Sequence, residues 1–288
     1  MKIGIIGGSG LYNLEGMEGV EFLDIATPFG APADAYAHGT LGGREVYFLP
    51  RHGRGHRLLP SEINHRANIY GFKMLGVERI VSVSAVGSLK EEYRPRDVVL
   101  PDQYFDRTKQ SLSHTFFGNG LVAHVAFGDP ACEDLRALLA DSARRAAGES
   151  VRVHVGGTYV NMEGPAFSTR AESNAYRAMG FDIIGMTSLP EAKLCREAEL
   201  CYQAMAMVTD YDCWHETEED VTVDAVVAHL MANTKLAKEV LRDLIPRIPE
   251  GRTCPCAAAL ATAVLTSREA ISEETRHRLR ALVGKYLS

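Results

Sequence analysis

Short apolar runs of strand length alternate along this chain with longer stretches whose apolar positions recur every three or four residues. Lys2 to Gly8 reads as a buried strand entering the turn Gly7-Gly8-Ser9-Gly10, and Tyr36 to Leu41 with Arg44 to Leu49 reads as a hairpin across Gly42-Gly43. Ser61 to Gly76 predicts a helix, because Ile63, Ala67, Tyr70 and Met74 share one face and Gly76 is a stop signal. Arg79 to Ser84 is then a strand running into a small-residue turn, Ala85-Val86-Gly87-Ser88. Asp97 to Pro101 follows as a strand, and Phe105 to Gly120 as a long loop. Cys132 to Ala147 is a surface helix with Leu135, Leu138, Leu139 and Ala146 on its stripe. Val151 to Met162 is strand-like, and Thr169 caps the helix after it. Asp182 to Met186 and Cys201 to Val208 are further strands, with Pro190 in the first turn of a helix between them. Val223 to Ile245 is a long amphipathic helix, and Ser272 caps a last one through Leu287. Strands alternating with helices predict an α/β sandwich.

Composition narrows the class. The chain has 288 residues, 46% hydrophobic and 24% charged, enough to bury a sizeable core. No Pro/Ser/Gly-rich linker, repeat or low-complexity block divides it, so one large domain is expected. A net charge of −6 without a clustered basic face speaks against nucleic acid as the main partner. No apolar stretch approaches the roughly 20 residues of a membrane span, and Met1 leads into a strand rather than a signal sequence. A cytoplasmic location is expected.

The six cysteines are scattered, with no Cys-x-x-Cys pair, so the spacing predicts no zinc site. Cys254-Pro255-Cys256 is the unusual spacing. It reads either as two small residues opening a C-terminal helix or as a strained, exchangeable disulfide.

Candidate chemistry gathers at the predicted strand ends, where open α/β sheets bind ligands. The turn at Ser9 lacks the helix and the acidic second strand of a dinucleotide site, and fits a cradle for a single phosphate better. Pro50-Arg51-His52-Gly53-Arg54-Gly55-His56 is a cationic loop in which Arg offers a planar fork and His a further donor. Without a Gly-Lys-Ser/Thr loop, the anion is inorganic phosphate rather than a nucleoside triphosphate. Phe167 is placed either in the core or stacked on a flat heterocycle. Asp210 and Asp212, two apart beyond the run Cys201 to Val208, would project to one face if the backbone stays extended. Alone, the pair suits a cap for the next helix better.

Gly4-Ile5-Ile6-Gly7-Gly8-Ser9-Gly10, Arg51-His52-Gly53, Ser84-Ala85-Val86-Gly87-Ser88, Glu163-Gly164-Pro165 and Thr209-Asp210-Tyr211-Asp212-Cys213-Trp214 occur in an order that resembles the trimeric purine nucleoside phosphorylase family, most closely its methylthioadenosine phosphorylase branch. The resemblance implies a three-layer α/β/α sandwich around a mixed sheet, one nucleoside phosphorylase domain over residues 1–288 with a helical extension from about 250. It implies phosphorolysis of an N-glycosidic bond, with phosphate as co-substrate and no metal or other cofactor. By the same resemblance, phosphate is held by Ser9 (where the family often has Thr), Arg51, His52, Ser84, Ala85 and Thr187. Met186 lies beneath the ribose, Phe167, Ser168 and Thr209 line the substrate site, and Val223 and Val226 wall a 5′-substituent. His124 reaches a neighbouring subunit's site, which implies a homotrimer, possibly a dimer of trimers. Asp210 is assigned to purine N7 and Asp212 to the 6-amino group: leaving-group protonation needs an acid, and a desolvated carboxyl beside a second one has its pKa raised. Ser168 stands where the 6-oxopurine enzymes carry Glu, so adenine is favoured over hypoxanthine.

The region beyond Ile248, with its Cys-x-Cys, resembles thermophilic and archaeal members, in which such cysteines take part in disulfides; Cys132, Cys195, Cys201, Cys254 and Cys256 are the candidates here. Enzymes preferring adenosine, inosine, guanosine or 5′-methylthioinosine, a nucleoside-binding protein without turnover, and an NAD-dependent oxidoreductase are the competing readings. Intact Arg51, His52 and Asp210 speak against the second, and the imperfect glycine fingerprint against the third.

Overall fold

The computed structural model describes residues 1–215 and 223–287, with the backbone alone for Ser111 and residues 223–227. Its framework is a mixed sheet built outward from two parallel partners, β1 (Lys2–Gly7) and β5 (Val77–Ser88). On one side of β1 lies β4 (Arg44–Pro50), parallel to it, followed by antiparallel β3 (Tyr36–Leu41) and β2 (Glu18–Leu23). The sequence pattern misses β2 because all but one of its residues are exposed, which removes the apolar alternation that marks a strand.

The sheet divides at β5. Along most of its length β5 pairs in parallel with β11 (Cys201–Asp210), which continues antiparallel to β6 (Val98–Leu100) and from there to β8 (Val153–Val155). At its carboxyl end β5 also pairs antiparallel with β10 (Ile183–Gly185), leading to β9 (Thr158–Met162) and β7 (Gln103–Arg107). Twelve residues are long enough to serve both branches, so the expected turn at Ala85 to Ser88 is strand instead. The expected loop from Phe105 likewise begins as the end of β7.

Helices cover both faces, giving the three layers expected. On one face α2 (Glu133–Ala146) and α5 (Val223–Arg247) bury Leu135, Leu139, Val240, Leu241 and Leu244 against Ile3, Ile5, Val81 and Met205. On the other, α1 (His65–Met74), α4 (Ser188–Glu197) and α6 (Glu273–Leu287) enclose Ile69, Phe72, Leu194 and Leu282 with Ile6, Ile80 and Tyr202. The helix predicted from Ser61 starts only at His65, because Pro60–Glu62 forms a separate 3₁₀ turn and the Asn64 side chain caps α1 by accepting from Ala67 N–H. Past 250 the chain joins both faces: Cys254 and Cys256 pack on the first, while Leu260, Ile271 and α6 pack on the second, where Tyr70 donates its hydroxyl proton to the Arg278 carbonyl. A smaller helix, α3 (Arg170–Ala178), starts in the predicted place with a reciprocal capping box between Thr169 and Glu172. No helix among the described residues is long and apolar enough to cross a membrane.

Candidate active site

The carboxyl ends of β1, β4, β5 and β11 converge, and they carry most of the polar groups singled out in the sequence. Arg51 follows β4 directly and is buried, at 1% exposure. Its donors are largely committed within the protein: Nε to Glu191 Oε1 at 2.7 Å, Nη1 to the Val83 carbonyl at 2.9 Å and Nη2 to Ser82 Oγ at 2.5 Å. Glu191 in turn accepts from Ser82 and Tyr202 hydroxyls at 2.5 and 2.9 Å on its other oxygen. A guanidinium has five N–H groups, so Arg51 is not the open fork the loop suggested; it is a braced cation with two protons left to offer. Nη1 also lies against the glycine turn, where a Cβ on Gly8 would stand 2.6 Å from it. Glu191 was missed because a lone Glu inside a helix reads as solvent-facing.

His52 also departs from expectation. Its Nδ1 meets the Leu58 carbonyl at 2.9 Å and must donate there, which leaves Nε2 as an acceptor in the neutral ring. Burial, and next the Arg51 charge, lower its pKa to about 4, so near neutrality the ring stays uncharged. The charged donor envisaged from the sequence is instead an acceptor, suited to the hydroxyl proton of monohydrogen phosphate. Ser9, Ser84 and Ala85 line one small cavity together with Met207, Asn233 and Thr234. Thr187 sits at the N-cap of α4, whose first residue, Ser188, places its hydroxyl 3.5 Å from that of Ser84. The amide end of a ten-residue helix therefore faces the same strand end as the serines.

The aspartates meet, though not for the reason the spacing gave. Asp210 ends β11, but Asp212 adopts a left-handed φ of 54° within a short 3₁₀ turn, so the backbone is not extended between them. Thr209 is an extra residue in the β11–β5 register, where Val208 pairs Val86 and Asp210 already pairs Gly87. That bulge re-aims the strand end. Asp210 Oδ2 accepts from the Thr209 hydroxyl at 2.6 Å and Oδ1 from Asp212 N–H at 2.8 Å. Gly87 makes room for both: a Cβ there would stand 3.0 Å from Asp210 Oδ1 and 3.3 Å from Asp212 Cβ. Burial, opposed by the nearby Ser173 hydroxyl and reinforced by the Asp210 charge, raises the Asp212 pKa. Among the described residues Asp212 Oδ2 is buried without a hydrogen-bond partner, a costly position for a carboxylate oxygen unless a ligand supplies a donor.

Two groups that the sequence did not flag hold this strand end. On α5, His229 meets the Thr209 carbonyl at 2.7 Å and Asn233 donates to the Val208 carbonyl at 2.8 Å, four residues apart on one helix face. Ser168 adjoins the pair, lowering the Asp212 pKa slightly, while its carbonyl accepts from Cys213. Met186 lines a narrow cavity with His65, Met162 and Pro190. Phe167 is 72% exposed, neither in the core nor yet stacked on anything. His124 stands apart from the aspartates, at a surface cavity of about 470 Å³ lined also by Phe117, Leu121, Lys193 and Glu197. Val223 opens α5, but its side chain and that of Val226 lie outside the described residues.

Known proteins match this chain over its whole length. The sequence profile of the Phosphorylase superfamily covers residues 2–246. The S-methyl-5′-thioadenosine phosphorylase of Koribacter versatilis is 58% identical over 99% of this chain and 96% of its own. That of Geobacter sulfurreducens is 56% identical over 99% of each. Among solved structures, a methylthioadenosine phosphorylase from an antarctic soil metagenomic library superimposes with a TM-score of 0.92 at 49% identity, covering 97% of this chain and 98% of that one. The Schistosoma mansoni methylthioadenosine phosphorylase in complex with adenine gives 0.82 at 38% identity, over 87% and 93%.

Proposed function

The chain belongs to the phosphorylase superfamily and, within it, to the S-methyl-5′-thioadenosine phosphorylases, and from that membership we propose how its own residues cleave methylthioadenosine to adenine and 5-methylthioribose 1-phosphate. The observation that carries this reading is the layout of β5. Ala85 lines the anion cradle and Gly87 adjoins the aspartates, two positions along one strand and therefore on one face, about 7 Å apart. A ribose bridges that span, with phosphate at one end and purine at the other.

Phosphate rests against Ser9, Ser84, the Ala85 amide and the α4 amide end at Thr187, with Arg51 supplying the fixed positive charge and His52 accepting its proton. One phosphate oxygen attacks C1′ as the bond to N9 breaks, so phosphate is the nucleophile and no cofactor takes part. Asp210 serves N7 and Asp212 the 6-amino group, whose N–H would satisfy the orphaned Asp212 oxygen. The purine leaves readily only if N7 gains a proton, and general-acid assistance of this kind is worth ~10²–10⁴ in rate. Phe167 closes over the base, and Met186 packs beneath the sugar. Val223 and Val226, whose side chains lie outside the described residues, keep the assignment to the 5′-methylthio group that the family resemblance implies. The protein works as a homotrimer in the cytoplasm, His124 reaching a neighbour's site, and its products return adenine and the thiosugar to salvage.

The test is product analysis with methylthioadenosine, with and without phosphate, beside adenosine and 5′-methylthioinosine. Phosphate-dependent adenine release, fastest from methylthioadenosine, supports the reading. Faster cleavage of methylthioinosine would keep the chemistry and overturn the assignment of the aspartates and Ser168. No cleavage of any of the three would leave a nucleoside-binding protein.

A further inference from the structure

At the opposite end of β11 the fold gathers four cysteines that the sequence leaves far apart. The Sγ atoms of Cys132, Cys201, Cys254 and Cys256 all lie within 4.8 Å of one another, and the Cys201 and Cys254 sulfurs are 3.3 Å apart. All four are free thiols, as are Cys195 and Cys213. A disulfide would need about 2.05 Å, whereas zinc bound by four thiolates at about 2.3 Å spaces its sulfurs by about 3.8 Å. We propose that Cys132, Cys201, Cys254 and Cys256 form a tetrathiolate site for a divalent ion of zinc's class, closing the C-terminal segment onto the sheet.

Each ligand comes from a fixed point of the fold. Cys132 is the N-cap of α2. Cys201 is the first residue of β11. Cys254 and Cys256 flank Pro255 at the head of a 3₁₀ turn, so one short, φ-restrained segment presents two sulfurs together. Three of the four are buried and Cys254 is partly exposed, which leaves a way in from solvent. The lining is apolar, with Leu135, Leu139, Met205 and Ile248 nearby. Hard cations that want oxygen ligands gain nothing there, and soft thiolate sites select ions such as zinc. Binding exchanges the thiol protons, released to solvent, for metal–sulfur bonds, with no change of oxidation state. The spacing argument predicted no such site because it looked for paired Cys-x-x-Cys clusters, and here the ligands are assembled by tertiary structure. Nothing in it depends on the phosphorolysis reading.

The experiment uses the untagged full chain. Zinc content is measured on protein purified without chelators, thiols are counted after denaturation, and Co²⁺ is added to fully reduced, metal-stripped protein. The expected result is about one zinc per chain and, with Co²⁺, the thiolate charge-transfer and intense d–d absorption of tetrahedral sulfur ligation. Both should be lost in Cys254→Ser and Cys256→Ser and kept in Cys195→Ser. If either serine variant fails to fold, the Co²⁺ spectrum of the wild-type chain decides alone. Reduced protein that takes up no Co²⁺ overturns the proposal, whether its thiols were open or closed as disulfides at the start. Undiminished uptake by the folded serine variants overturns it too.

Discussion

The two ends of β11 follow opposite designs. At the Asp210 end, polar groups come from four strand ends and two helices, and some of them stay unsatisfied: Asp212 Oδ2 has no partner among the described residues. At the Cys201 end, the thiols sit in apolar surroundings and face one another. The first arrangement is unfinished until a ligand with matching donors arrives. The second is closed and needs at most one ion. A strand that is buried along its whole length can support both because its hydrogen-bonded backbone keeps the two ends from sharing partners.

The largest expected effect falls on the open end. Asp210→Asn should lower turnover on methylthioadenosine by ~10²–10⁴ while the fold persists, read as kcat for phosphate-dependent adenine release; a rate near wild type would remove Asp210 from the acid's part. Asp212→Asn should instead erode the choice of base. Losing a polar contact built for one substrate group costs up to roughly 10⁴ in discrimination in the best cases, so the kcat/KM ratio of methylthioadenosine to methylthioinosine should fall, and an unchanged ratio would sever Asp212 from the amino group.

Glu191→Gln probes whether the cradle is braced from behind. Removing one partner of a buried ion pair costs ~3–5 kcal/mol, so the denaturation midpoint should drop and the KM for phosphate should rise while the KM for methylthioadenosine changes little. An unaltered phosphate KM would make Glu191 purely structural.

The smallest effect concerns pH. The His52 pKa is about 4 in the folded protein against 6.5 for the free side chain, so between these values the unfolded chain holds more protons and stability falls as pH falls. Glu197, raised by burial to about 7, works in the other sense: its contribution is present in acid and is lost as pH rises through 7. The stability gap between wild type and His52→Gln should therefore narrow from pH 7 to pH 5; a constant gap would mean His52 is not held neutral.

How much of this was legible in the chain follows from the range of the interactions. Strands with apolar runs, the Thr169 cap and the α5 amphipathic pattern are local, and they fell where expected. The aspartates were found because they are neighbours in sequence, yet their geometry depends on the Thr209 bulge, which only the pairing with β5 creates. Arg51 was legible as a cation but not as a braced one, since Glu191 lies 140 residues away. Of the cysteine cluster only the Cys254-Pro255-Cys256 spacing stood out in the sequence; its meeting with Cys132 and Cys201 was not legible, as three separate segments supply the four sulfurs.

The forked pairing of β5 has a bearing on how such an enzyme changes its diet. One strand carries both Ser84 and Ala85 of the small cavity and Gly87 beside the aspartates, and its end is gripped by β10 and β11 together. An insertion or shift there would displace both halves of the site proposed above at once. A substitution at the rim, as at Ser168 beside Asp212, touches only one half of that site and leaves the strand register intact.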